Sequence, residues 1–227
     1  MLKEDEVIDM IDDEIKIIQS NSLFKYGTDA VLLSEFANVK KGGNVLDFCT
    51  GSGIIPLLLY KRFPDSLFEA LEISEKSSDM AKRTMELNNL SDKIKVTKGD
   101  VKEAAEIYKG RQFDLITCNP PYMDQGGGLI NPESDKAIAR HEVLCNLEDI
   151  IKNASKLLKF GGYFSMVHRP RRLTDIMYYM RKYKIEPKRL TLVCDRVGKE
   201  PDMVLIEGAF GGGKYLKTDV LYINEGE

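Results

Sequence analysis

Residues 114 to 125 read DLITCNPPYMDQ, a strand-like run that breaks into an amide, two prolines and an aromatic ring. An amide side chain carries an acceptor oxygen and a donor nitrogen, whereas proline contributes a carbonyl and no N–H. Around Asn119, Pro120 and Pro121 the chain therefore offers mostly acceptors, on a segment whose φ angles are fixed in advance. Two fixed acceptors suit a donor with two hydrogens, an amino group on an sp2 carbon. Holding both N–H bonds draws the nitrogen lone pair out of conjugation with its ring, so that it can attack a methyl group aligned behind it. Tyr122 adds a flat face on which an unstacked base could lie, a contact worth roughly 1–3 kcal/mol per base. A plain turn at a strand end uses the same residue types. Position decides between the two readings.

A second constellation lies upstream. VLDFCTGSGIIPLLL places Asp47, Thr50, Gly51 and Gly53 at the carboxyl end of a strand, where open α/β sheets bind ligands. The glycines let the backbone bend tightly against a ligand. A dinucleotide fingerprint would want a third glycine at position 56, and this chain has Pro56, which lowers the odds of NAD. Glu72 follows Gly51 by twenty-one positions and suits both hydroxyls of a ribose, with Ile73 beside it. Asp100, flanked by Gly99 and Val101, is placed to meet an adenine edge. Each acid alone could be a turn or helix cap. Three at successive strand ends favour a ribose-bearing ligand, and a cationic one, since pyrophosphate would be repelled by so many carboxylates. S-adenosylmethionine, with its sulfonium and ammonium, fits.

The elements that must hold these groups alternate in type. NVLDF (44–48), LFEALEI (67–73), KIKVT (93–97), FDLITC (113–118) and GYFSMVH (162–168) read as buried parallel strands. Helical patterns at 54–62, 75–89, 102–109 and 147–160 separate them, the last capped by Asn146 and stopped by a Gly-Gly pair. RLTLVC (189–194) and DMVLIEGAF (202–210) read as an antiparallel hairpin that closes the sheet. The prediction is an α/β, Rossmann-like, mostly parallel seven-stranded sheet with an antiparallel C-terminal hairpin and helices on both faces. Upstream, EIKIIQS reads as a short strand and 28–43 as a helix capped by Thr28 and stopped by Gly42. The chain divides into an N-terminal extension (1–43), a core (44–210) and a tail (211–227), all within one domain. Residues 123–146 form the one long irregular stretch, a length usually functional or disordered.

Composition narrows the class further. At 227 residues the chain can bury an ordinary core, and 43% hydrophobic with 30% charged residues is a globular balance. The longest apolar run, IIPLLLY, is too short to span a bilayer, and the acidic start has no basic region ahead of an apolar one, so a cytoplasmic protein is expected. Cys49, Cys118, Cys145 and Cys194 form no CxxC pair and read as reduced, mostly buried thiols. His141 and His168 lack metal-ligand spacing, so no metal is expected. Charge is uneven: seven acids against two bases over 1–16, and ten Lys or Arg against three acids over 168–199. Within the basic segment Arg169, Arg171, Arg172, Lys188 and Arg189 are candidates for contact with RNA phosphates, although a solvated helix face would look the same.

FCTGSG, Glu72, the Gly-Asp pair at 99–100 and NPPY occur in an order that resembles the class I S-adenosylmethionine-dependent methyltransferases of the N6-adenine and N5-glutamine type, over roughly 21–210. SLFKYGTDAVLLSEFA ahead of the first core strand, and the segment following NPPY, look like the bacterial tRNA1(Val) adenine-N6 methyltransferases. That resemblance implies methyl transfer to N6 of an anticodon-loop adenosine at tRNA position 37, by a monomer or weak homodimer. It also implies a donor pocket lined by Lys25, Tyr26, Gly27, Thr28, Asp29 and Asn119, with residues 123–141 over the target base. Adenine in DNA or ribosomal RNA, or a glutamine side chain in a protein such as a release factor, presents the same NH2 geometry. Glutamine enzymes of this kind resemble longer chains, with a helical domain for which the residues before 44 are too few. A binding module without transfer would have no use for the acceptor loop.

Overall fold

The computed structural model describes residues 2–12, 14–21, 23, 25–121 and 146–224. An N-terminal hairpin, β1 (Glu6–Met10) and β2 (Lys16–Ser20), forms its own two-stranded antiparallel sheet. It lies on α3 (Glu75–Leu87), where Arg83 grips Glu6 through two hydrogen bonds of 2.7 and 2.6 Å and Thr84 Oγ1 accepts from Ile18 N. The main body follows as α1 (Thr28–Phe36), β3 (Asn44–Phe48), α2 (Ile54–Arg62), β4 (Leu67–Glu72), α3 and β5 (Ile94–Lys98). A short 3-10 turn, Val101–Glu103, and α4 (Ala104–Ile107) lead to β6 (Phe113–Cys118). After residue 145 come α5 (Leu147–Leu157), β7 (Leu158–His168), a 3-10 turn at Pro170–Arg172 and α6 (Leu173–Lys182). The chain then makes β8 (Ile185–Cys194), β9 (Pro201–Phe210) and β10 (Lys217–Tyr222).

The sheet runs β10-β8-β9-β7-β6-β3-β4-β5, and every neighbouring pair is parallel except the two that involve β9. It has eight strands where the sequence predicts seven. The antiparallel hairpin is as expected, but the stretch read as a tail supplies β10 along the outer edge of β8. Alternation along each strand sends side chains to two faces. Leu46, Phe48 and Ile116 join α4, α5 and α6 on one face, and Val45 and Leu115 join α1, α2 and α3 on the other.

Some boundaries move for local reasons. Gly27, not Thr28, precedes the first helical residue, and α1 stops at Phe36 well ahead of Gly42. The Gly-Gly pair read as a helix stop lies inside β7, where Gly161 takes φ +78° and a Cβ on Gly162 would fall 2.9 Å from the Lys159 carbonyl, with the Phe113 and Asp114 carbonyls close behind. The helix over 102–109 shortens to a 3-10 turn and one helical turn.

Candidate active site

β3, β4, β5 and β6 end at one edge of the sheet, so the glycine turn, Glu72, Asp100 and Asn119 converge there. At Gly51, φ +56° is a left-handed conformation, and nothing stands within 4 Å of where a Cβ would be, leaving its bare backbone open. Gly53 is also left-handed, at φ +84°, and a Cβ there would in addition push the Met85 methyl aside from 2.5 Å, where α2 packs on α3. The turn is tied to β4 by Thr50 N–H donating to the Leu71 carbonyl and by Gly51 N–H donating to Glu72 Oε2 at 2.8 Å.

The acids at the strand ends divide by environment. Glu72 also accepts from Ser74 N–H at 2.9 Å, so backbone donors orient both of its oxygens. Asp100 accepts from Lys102 N–H and caps the 3-10 turn. Capping thus accounts for part of what these two residues do. Asp47 is different. It is fully buried and accepts from Thr117 Oγ1 at 2.6 Å, while among the described residues its Oδ2 and the Thr50 hydroxyl have only each other, in a contact too loose for a full hydrogen bond. Burial pushes its carboxyl up to about 7, the Thr117 and Thr50 hydroxyls pulling the other way and the Glu72 charge adding to the rise. An underused acceptor and hydroxyl beside an open glycine turn, backed by the Glu72 carboxylate, suit a cationic nucleoside such as S-adenosylmethionine. Thr117 was missed in the sequence; its place opposite Asp47 in the β3–β6 register was the available signal. Ile73 is partly exposed and Val101 buried at the same edge, whereas Gly99 is glycine for packing, with a Cβ position 2.5 Å from Ile107.

The N-terminal end of α1 reaches this edge. Lys25, Tyr26, Gly27 and Thr28 lead into Asp29, and Asp29 Oδ2 accepts from Asn119 Nδ2 at 3.1 Å. The donor of the Asn119 amide is thereby turned to Asp29, which puts its acceptor oxygen on the opposite branch. Asn119 and Pro121 are half-buried and Pro120 is buried. Tyr122, Cys145, His141 and residues 123–141 lie outside the described residues. Cys118 is buried, and the half-buried Cys49 thiol is held well above the ordinary thiol range by its hydrogen bond with Cys118 and by desolvation, so Cys49 is no thiolate nucleophile. His168 is buried at the end of β7, its Nδ1 accepting from Arg169 N–H at 2.7 Å. Burial, helped by the Arg172 and Arg169 charges, drives it down to about 4, so it is a neutral imidazole at pH 7.

The basic candidates separate. Arg169, Arg171 and Arg172 follow β7 at the same edge as Asn119, with Arg169 donating to the Asp202 carbonyl and Arg172 to Asp175. Lys188 and Arg189 lie in the first half of β8, toward the opposite end of the sheet. There Arg189 is held by Glu207 at 2.9 Å, by the Phe36 carbonyl and over the Phe36 ring, and Lys188 donates to the Gly213 carbonyl.

Strand order, glycine turn and the Asn-Pro-Pro end of β6 together define the class, a Rossmann-like methyltransferase fold. The same fold is seen in a predicted O-methyltransferase of Agrobacterium tumefaciens, at 22% identity and a TM-score of 0.70 over 87% of this chain and 88% of that one. Residues 17–179 match the methyltransferase small domain model. A tRNA1(Val) (adenine(37)-N6)-methyltransferase of Porphyromonas gingivalis is 32% identical over 84% of this chain and 76% of its own length. A Bacteroides thetaiotaomicron protein of the same name is 32% identical over 87% and 81%. The chain therefore belongs to the methyltransferase small domain family, and within it to the family of these tRNA1(Val) adenine-N6 methyltransferases.

Proposed function

We propose that the protein transfers the methyl group of S-adenosylmethionine to the exocyclic N6 of an adenosine in tRNA, at position 37 of tRNA1(Val). The orientation of the Asn119 amide carries this reading. With Nδ2 directed at Asp29, Asn119 Oδ1 and the Pro120 carbonyl serve as the acceptor pair for the two N6 hydrogens. Accepting both strips the amine of its conjugation and leaves its lone pair as the nucleophile. Bound S-adenosylmethionine supplies the electrophilic carbon. Asp47, Thr50, Gly51, Glu72, Ile73, Asp100 and Val101, with residues 25–29, are the groups that hold it, Glu72 as acceptor for the ribose hydroxyls. Tyr122 stacks on the target base. No side chain need serve as general base: Asn119 Oδ1 and the Pro120 carbonyl accept from hydrogens that stay on nitrogen until methylation has made the amine cationic, after which one is released to water. Arg169, Arg171 and Arg172, on the rim beside Asn119, meet RNA phosphates.

The test is to incubate the protein with methyl-labelled donor and, separately, tRNA, ribosomal RNA, DNA and protein from cells lacking the gene, then to digest each and identify the labelled product by mass spectrometry. N6-methyladenosine confined to tRNA is the expected result. Label in ribosomal RNA, in DNA or in a glutamine side chain would overturn it.

A further inference from the structure

A groove of about 660 Å³ opens at the end of the sheet opposite the glycine turn, between the start of β6, the Lys159–Gly162 stretch of β7, the first half of β8 and the loop into β10. Nothing in the transfer chemistry uses it. Along β6 it is five residues from Asn119, roughly 17 Å at strand spacing. Two properties set it apart. Five cationic side chains line it against two carboxylates, Asp114 and Glu207. Lys40 and Lys159 share Asp114, and Arg189 takes Glu207, but Lys217 makes no ion pair among the described residues. The lining also holds three rings that the fold leaves in the open: Phe160 is 83% exposed, Tyr215 71% and Tyr163 39%. Phe160 lies over Gly211, whose φ of +70° is a left-handed conformation that glycine adopts without strain.

Flat rings among lysines are the pattern that binds single-stranded nucleic acid, bases stacking on the rings and phosphates meeting the cations. An acidic peptide would answer the charge but make no use of three open rings. We infer that this groove is a second RNA site, which takes unpaired nucleotides of the substrate tRNA away from the base being methylated. The inference rests on the reading above that the substrate is RNA. The groove adds affinity and takes no part in the transfer step.

The test uses the full-length protein and a tRNA(Val) transcript, with two variants: Phe160→Ala/Tyr215→Ala, and Lys217→Glu at an exposed edge position whose side chain supports nothing in the fold. Binding is followed by fluorescence anisotropy across a salt series, and KM and kcat by methyl incorporation. The aromatic variant is expected to raise Kd and KM for tRNA about tenfold, with kcat at saturating tRNA and donor affinity unchanged. The lysine variant should raise both several-fold and lower the salt slope by about one. Unchanged tRNA affinity and KM in both variants would overturn the site, as would a polyglutamate probe that binds through Lys217 where tRNA does not. Should the protein methylate no RNA, the functional reading fails, while groove-dependent tRNA affinity still reports on this site by anisotropy.

Discussion

Asn119 and Asp29 are ninety positions apart in sequence and 3.1 Å apart in space. The bond makes a specific demand: Asn119→Ala should abolish methylation and leave donor affinity nearly unchanged, because it removes an acceptor for the substrate amine. Normal turnover by that variant, measured with labelled donor, would remove Asn119 from the chemistry. Two buried titratable groups make another demand. Folding raises Asp47 from 3.8 to about 7, so between those values the native state holds a proton that the unfolded chain has lost, and stability falls as pH rises. Folding lowers His168 from 6.5 to about 4, so there the unfolded chain holds the extra proton and stability rises with pH. Between about pH 4 and 6.5 the two slopes oppose each other. Asp47→Asn should therefore tilt stability upward with pH in that window, and His168→Gln downward, by at most about 1.4 kcal/mol per pH unit. Denaturant titrations at three pH values check both signs. Identical pH profiles for wild type and both variants would rule the pair out. At this scale the sequence disclosed which residues cluster, because strand ends are legible. It did not disclose that Glu72 and Asp100 spend oxygens on backbone N–H groups, since an acid that caps and an acid that binds look alike in one chain.

α1 is a strut with its working end at Asp29 and its anchored end at Phe36. Arg62 of α2 donates to the Ser34 and Ala37 carbonyls, and Arg189 of β8 to that of Phe36, so two arginines satisfy terminal carbonyls that the helix cannot bond itself. Arg62→Ala should lower stability by about 1–2 kcal/mol and weaken donor binding several-fold, because α1 then sits less firmly on α2 and its Asp29 end is held less firmly at Asn119. Thermal melts and donor titration measure the two effects together; a loss of stability with unchanged donor affinity would uncouple the strut from the pocket. The parallel strands were plain in the sequence as short apolar runs bounded by turn residues. β10 was not, for a physical reason: all six of its side chains are exposed, so no burial pattern marks it. β7 was read short because its Gly-Gly pair resembles a helix stop, although Gly161 takes its positive φ within the strand.

Across the whole molecule a net charge of −3 conceals a division, with acids gathered in the first residues and cations between 168 and 199. Reversing Arg171 and Arg172 to Glu should weaken tRNA binding and flatten its dependence on salt, with donor affinity intact. Unchanged affinity in low salt would exclude that rim from the RNA interface. The sequence could not distribute its basic residues between the two ends of the sheet, because that depends on β9 entering between β7 and β8. This insertion bears on how the protein is made. Synthesis delivers β7 and β8 before β9 exists, so a nascent chain emerging from the ribosome through Glu200 carries two strands that cannot yet be neighbours, and the flank of β7 stays unpaired. That open flank invites the pairing of β7 with other chains until β9 arrives. The vulnerable interval in this enzyme's life is thus the one between the synthesis of β8 and that of β9.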